Sequence, residues 1–253
     1  MAQEERLAKI KELLQEKNRL STREIMSEFG ISFDTARRDI IRLTKTGQAT
    51  RVHGGIIGVR YSAIPDYNIR RHIESPVKKQ MAKIIAGYIR PQCLYYFDTS
   101  TTVGQVCHLL GGINTTVMTN SIDNAAALME NKYPQVKLLG GQIDKANHYT
   151  YSMETLEKLT NYGFTMAVIG AAAIYKGGIY TCTEAEAAMN RRAAANSRKV
   201  LVIAENYKFG LRGKAEYKIM DCKDADIIVT DSKPSDQIKQ DFGPRTVFKW
   251  DKK

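Results

Sequence analysis

The sequence predicts an α/β protein in two parts: a small N-terminal winged helix-turn-helix module, then a larger α/β domain on a mainly parallel sheet. Three observations carry this. Residues 3–45 hold three amphipathic helical patterns punctuated by caps and glycine. From residue 93 onward, short apolar runs alternate with helical patterns, as expected for strands joined by covering helices. Charge is also uneven: of a formal net +11 over 253 residues, residues 37–90 carry +9, against −1 for residues 1–36 and +3 for the rest. Domains run to about 100–200 residues, so two parts fit the length. The expected divisions are 1–57 for the module, 58–75 for a linker and 76–253 for the α/β domain.

Each N-terminal element has a local cause. Leu7, Ile10, Leu13 and Leu14 recur at helical spacing over residues 3–17. Ser21-Thr22-Arg23-Glu24 has the S-x-x-E form of a capping box and starts a second helix, which Gly30 ends. Ser32 caps a third helix with Phe33, Ala36, Ile40 and Leu43 on one face. Asp34, Arg37, Arg38, Arg42 and Lys45 lie opposite or on its shoulders, and Gly47 stops it. Ile41 sits outward without an account. Two short helices joined by a glycine turn, the second cationic, form a helix-turn-helix pattern suited to the major groove. Arginine fits that task because its fork bonds two acceptors on a guanine edge or a phosphate. Residues 48–56 contain the pair Gly54-Gly55 and read as a β-hairpin wing, projecting Arg51 and His53. A solvated basic face would explain the charge alone; the combination of caps, turn, cationic helix and wing favours DNA.

The linker contains Pro65 and stays basic through Arg60, Arg70 and Arg71. Ser75-Pro76 starts a helix reaching about residue 89, with Val77, Met81, Ile84, Ile85 and Tyr88 on one face and Lys78, Lys79 and Lys83 off it. Beyond it, Leu94–Phe97, Thr116–Met118, Val136–Leu139, Met166–Ile169, Val200–Ile203 and Ile227–Val229 read as buried strands. Helical patterns fall near 103–110, 122–131, 154–161, 184–196 and 234–240. Ligands of such sheets bind at the carboxyl ends of the strands. Those ends carry Asp98-Thr99-Ser100-Thr101-Thr102, Thr119-Asn120-Ser121, Gly140-Gly141, Gly170-Ala171 and Lys208-Phe209-Gly210. Hydroxyls and backbone N–H groups at a helix start favour an anion, Asp98 could accept sugar hydroxyls, and Lys208 could neutralise phosphate. Singly, each reads better as a cap or turn; together they read as an effector site.

Several classes drop out. No stretch of about 18 apolar residues predicts a membrane span, and Met1-Ala2-Gln3-Glu4-Glu5-Arg6 has no signal-peptide core. Cys93, Cys107, Cys182 and Cys222 form no CxxC pair, so they read as reduced thiols in a cytoplasmic protein. No GxGxxG follows a strand, no Walker A motif occurs, and the four histidines suggest neither a triad nor a metal site. No cofactor is expected.

The run Ser32-Phe33-Asp34-Thr35-Ala36-Arg37-Arg38-Asp39-Ile40, with Leu43, Gly47 and Arg51-Val52-His53-Gly54-Gly55, resembles the winged helix of DeoR-type bacterial transcriptional repressors. By that resemblance the candidate DNA contacts are Thr35, Arg37, Arg38 and Arg51, joined by Ser21, Thr22, Ser32, Asp34, Arg42, His53 and Gly54. Asp39 would orient an arginine or the wing. The strand ends above resemble the DeoR-type effector domain, similar in fold to sugar-phosphate isomerases and coenzyme A transferases. The resemblance implies a repressor of sugar or related carbon metabolism genes, controlled by a phosphorylated sugar or similar metabolite. Double-stranded operator DNA is its expected partner, and a homodimer or homotetramer its expected state, since one winged helix makes few base contacts. Ser100 stands where glycine is frequent, Ala188 where lysine is common, and Glu205 and Tyr207 where Asp and Ser are usual. These departures imply either a changed effector or weak binding of sugar phosphates. Two alternatives stay open. One is an isomerase-like enzyme with an appended nucleic-acid module, using Asp98, Glu184 or Glu186 as base and Lys208 as electrophile. The other is a nucleoid-type protein with only non-specific affinity.

Overall fold

Leu7, Ile10 and Leu14 of helix α1 (Gln3–Lys17) are buried and found the core of the first unit. The computed structural model divides the chain into two units, residues 1–75 and 76–253. It describes residues 2–17, 19–45, 48–52, 54–58, 64, 66–72, 75–210 and 215–251, without the side chains of residues 15, 45 and 50. The expected features at Gly47, His53, Arg60 and Pro65, and the side chain of Lys45, lie outside the described residues.

In the first unit, β1 (Arg19–Ser21) follows α1, then come α2 (Thr22–Phe29), α3 (Phe33–Lys45), β2 (Ala49–Val52), β3 (Gly55–Gly58) and a short α4 (Tyr67–Arg71). Ile25 of α2 and Ala36, Ile40 and Leu43 of α3 close on α1, with Leu20, Ala49 and Ile56 beneath. The capping box forms: Ser21 Oγ accepts from the Glu24 N–H at 3.1 Å, and Glu24 Oε2 accepts from the Ser21 N–H at 2.7 Å. Gly30 ends α2 with φ +59°.

Strand β1 was not expected, because three residues are too few to show alternation. It exists through pairing with β3, Arg19 opposite Ile57 and Ser21 opposite Gly55, in a sheet of order β1-β3-β2. That pairing explains the second glycine of the wing. A Cβ on Gly55 would stand 2.1 Å from the Leu20 carbonyl oxygen. Phe33 is a correction: it is 55% exposed, not core. Helix α1 reaches α3 at Asp39 and Arg42, well beyond Phe33. The linker is also not featureless, since it holds α4 and buries Ile64 and Tyr67.

The second unit opens with α5 (Pro76–Ala86), β4 (Leu94–Phe97), α6 (Thr101–Cys107), β5 (Thr116–Thr119), α7 (Ile122–Met129) and β6 (Gln135–Leu138). A hairpin follows, β7 (Gln142–Asp144) with β8 (Tyr149–Tyr151), then α8 (Met153–Lys158), β9 (Met166–Gly170), β10 (Ala173–Tyr175), β11 (Gly178–Thr181) and α9 (Glu184–Ala195). The chain closes with β12 (Val200–Ile203), β13 (Tyr217–Asp221), β14 (Ile227–Val229), α10 (Asp236–Lys239) and β15 (Val247–Lys249). Seven strands form one parallel sheet, ordered β15-β14-β12-β9-β4-β5-β6, which includes all six expected strands. Neighbouring residues of β4 feed opposite faces, as strand periodicity requires. Tyr95 and Phe97 pack with Met81 and Ile85 of α5 and Val103 of α6, and Tyr96 with Phe164 and Met189 of α9.

Three differences stand out. β6 was expected to be buried but is an edge strand, with Gln135, Lys137 and Leu138 exposed. The β7–β8 hairpin, the antiparallel sheet β10-β11-β13 and strand β15 were not read from sequence, because their runs are short and mixed in polarity. Lys78 was placed on the solvated side of its helix but is only 8% exposed, with Nζ donating to Thr101 Oγ1 at 3.2 Å. Among the described residues no helix is long and apolar enough to cross a membrane.

Candidate nucleic-acid interface and sensor site

Between the start of α2, the start of α3 and the wing lies a groove of about 640 Å³. The expected contacts Ser21, Thr22, Arg37, Arg51 and Gly54 line it, together with Arg19, Arg23 and Phe33, which sequence reasoning missed. Among the described residues, four arginines and no carboxylate line this groove, so its potential is positive. Thr22 ties the wing to the helices: its N–H donates to the Gly54 carbonyl at 2.8 Å and its Oγ1 to the same oxygen at 3.2 Å. Gly54, at φ +79°, presents that carbonyl by adopting a left-handed turn.

The other candidates sit elsewhere on α3. Asp34 and Arg38 are exposed on it. Ser32 Oγ caps the helix, accepting from the Thr35 N–H at 3.3 Å, and lies 3.0 Å from Thr35 Oγ1. Arg42 is turned away from the groove, with Nη1 donating to Gln3 Oε1 at 2.8 Å and Nη2 bonded to Glu4. Asp39 is fully buried and holds Arg6, whose Nε donates to Oδ2 at 2.5 Å and Nη2 to Oδ1 at 3.2 Å. The arginine that Asp39 orients therefore comes from α1.

At the carboxyl ends of the parallel strands, Asp98 is the centre of a buried network. Its Oδ1 accepts from the Ser100 N–H at 2.9 Å, and its Oδ2 from the Gly170 N–H at 2.8 Å and Asn190 Nδ2 at 3.5 Å. Burial pushes its carboxyl up to about 7, while the two backbone N–H groups and Lys208 oppose the shift and Glu186 adds to it. Tyr96 Oη donates to Asn190 Oδ1 at 3.0 Å and Asn120 Oδ1 at 3.4 Å, and Asn120 Nδ2 donates to the Thr150 carbonyl of the hairpin. Burial holds the Tyr96 hydroxyl well above its ordinary range. Glu186 is gripped by three hydroxyls: Thr99 at 2.7 Å, Thr181 at 2.8 Å and Thr183 at 3.1 Å.

Several expected effector residues serve as local supports. Ser100 Oγ caps α6 through the Thr102 N–H, Thr119 Oγ1 accepts from the Ser121 N–H, and Ser121 Oγ caps α7 through Asn124. Thr101 takes Lys78. The Gly140 carbonyl accepts from Thr155 Oγ1 at 2.9 Å, and a Cβ on Gly141 would stand 2.4 Å from the Tyr151 backbone. Both glycines thus belong to the hairpin junction. A Cβ on Gly170 would stand 2.2 Å from Ser100 Cβ and 2.3 Å from its Oγ. Lys208 is buried and turned inward, donating to the Ala171 carbonyl at 2.7 Å.

Glu186, Asn190, Tyr96 and Lys78 were not assigned to the effector site from sequence. Thr183-Glu184-Ala185-Glu186 carries a T-x-x-E start signal that marks Glu186. The other three join the site only through contacts distant in sequence. Among the described residues, no three His, Cys, Asp or Glu groups come together as a metal site would need.

Comparison with known proteins matches both units. Residues 6–60 match the model of a DeoR-like helix-turn-helix domain, and residues 73–232 that of a DeoR C-terminal sensor domain. The chain is 30% identical over 236 residues to the HTH-type transcriptional repressor GlcR of Bacillus subtilis strain 168, covering 93% of this chain and 91% of that protein. It is 26% identical over 242 residues to the glycerol-3-phosphate regulon repressor of Escherichia coli K12, covering 95% of each. Among solved structures it is similar to ribose 5-phosphate isomerase A of Neisseria gonorrhoeae, with 14% identity, a TM-score of 0.37 and coverage of 53% of this chain and 52% of that one. A winged helix-turn-helix with a cationic groove, a parallel-sheet domain and matches to both family models lead to one conclusion: the chain belongs to the DeoR family of DNA-binding transcriptional regulators.

Proposed function

We propose that this protein represses transcription by docking its groove on operator DNA, and that its second unit senses a phosphorylated sugar or related metabolite. The observation that carries the DNA reading is the groove itself, in which Arg37 of α3 and Arg51 of the wing stand with Arg19 and Arg23 and, among the described residues, no carboxylate. Thr35, Arg38 and Asp34 flank it on the same helix. A helix with arginines at its N-terminal half, braced by a wing, suits a major groove. Two copies on paired half-sites would supply the base contacts that one module lacks, so the working form is a homodimer or homotetramer. The relatives named above are repressors, which supports the sign of regulation.

Quantitative binding to the chain's own upstream region tests this. Arg37→Ala is expected to weaken specific binding by about 1–3 kcal/mol and relax sequence preference, as for a base-reading arginine. Arg19→Ala and Arg23→Ala are expected to weaken binding to all duplexes alike and to lower the salt slope by about one each. Equal loss on specific and random DNA for Arg37→Ala would reassign it to phosphate.

The sensor reading rests on the family match over residues 73–232 and on the strand-end cluster of Asp98, Thr99, Ser100, Thr101, Thr102, Asn120 and Gly170, with Lys78 and Lys208 as its cations. Effector binding would bias two arrangements for which it has different affinity. A thermal-shift screen of sugar phosphates is the measurement. A ligand at 100 times its dissociation constant should stabilise the chain by about 2.7 kcal/mol, and Lys78→Met should abolish the shift. A panel giving no shift would count against a phosphorylated effector.

A further inference from the structure

Among the described residues of the first unit, only Phe33 and Ile69 are large apolar side chains left exposed. Phe33 is the more exposed at 55%, and it is the first residue of α3. It does not stand on an isolated stretch of surface. It lines the same groove as Arg19, Arg23, Arg37 and Arg51. The arginines explain recognition of acceptors, since guanidinium groups donate to phosphate oxygens and to the guanine edge. A phenyl ring can do neither. It lies outside the buried core, to which α3 contributes Ala36, Ile40 and Leu43.

The major groove offers one apolar feature on its base edges, the C5-methyl group of thymine, and aromatic or aliphatic side chains contact it. N-terminal residues of a recognition helix are the ones that reach base edges. A ring at the first position of α3, ringed by cationic donors, is placed for that contact. We propose that Phe33 reads a thymine C5-methyl group, so that the half-site preferred by this protein carries a thymine where α3 enters the major groove. This rests on the DNA-binding reading above and adds a base identity to it.

The test removes the methyl and the ring separately. The full-length chain is used to enrich sites from a random-sequence duplex pool. In the enriched site each thymine is replaced singly by deoxyuridine, which differs only by the methyl. Affinities are then measured for the unmodified protein and for Phe33→Ala, whose fold is checked by thermal unfolding; the exposed ring predicts an unchanged midpoint. One uracil substitution per half-site is expected to weaken the unmodified protein about three- to fivefold, the worth of one buried methyl. The same substitution is expected to leave Phe33→Ala unaffected, and Phe33→Leu to keep part of the discrimination. If every uracil substitution acts equally on the unmodified protein and Phe33→Ala, the methyl contact is overturned while DNA binding stands. If no duplex is enriched, the DNA reading itself falls, and this inference with it.

Discussion

Asp39→Ala is expected to destabilise the N-terminal unit strongly and to weaken DNA binding without touching the groove. The carboxylate is fully buried, and Arg6, at 8% exposure, meets it through two nitrogens. Removing one member of a buried ion pair costs about 3–5 kcal/mol, and this exchange takes from Arg6 both of its bonds to the carboxylate. Domains of this kind have about 5–15 kcal/mol in total. Thermal unfolding followed by helical signal, with limited proteolysis to locate the loss, measures it. The pair is expected to be replaceable as a pair. Arg6→Met with Asp39→Leu should recover most of the stability, because apolar groups of similar volume often substitute for buried ions. A melting profile for Asp39→Ala equal to that of the unmodified chain would refute the role of the pair.

The second large effect is on pH dependence and comes from Asp98. Its folded-state value of about 7 lies above the ordinary 3.8, with burial as the main cause. A raised carboxyl binds its proton more tightly in the folded state. The stability it contributes is therefore complete below about pH 4 and is lost as pH rises through about 7. At about 1.4 kcal/mol per pH unit of that window, the limit is about 4 kcal/mol. Unfolding free energies from denaturant titration are expected to rise as pH falls from 8 to 5, by roughly two thirds of that limit, since two of the about three units of the window are crossed. Asp98→Asn should flatten the slope while other titrating groups remain. Parallel slopes in the two proteins would show that Asp98 stays ionised, held by the Ser100 and Gly170 N–H groups and Lys208.

How much was legible in the sequence follows from the range of the interaction. The capping box at Ser21 and Glu24, the left-handed Gly30 and the strand runs are decided within a few residues, and all were readable. β1 was not, because its existence depends on β3 more than thirty residues later. Phe33 was misplaced for the same reason: helical spacing assigns a face, but only the path of α1 decides how far that face is covered. In the sensor unit the strand-end residues were readable from position. Their roles were not, since Asp98 meets Gly170 of the neighbouring strand β9 and Asn190 of α9, 72 and 92 residues away along the chain. Lys78 reads as ordinary helix surface, and Glu186 only as a candidate base of the enzyme alternative, until the fold brings them to Thr101 and Thr99.

The close approach of Gly170 to Ser100 has a consequence for how the sequence can drift. Ser100 supplies the α6 cap and fills the space that a Cβ at position 170 would need. While serine stays at 100, any side chain at 170 must push into it. A glycine at 100, as in the related pattern, lifts that bar. The two positions are thus not independent sites of variation: an exchange at 170 is accessible only after serine at 100 has been given up, so history, not just chemistry, limits which sensor-site variants this chain can reach.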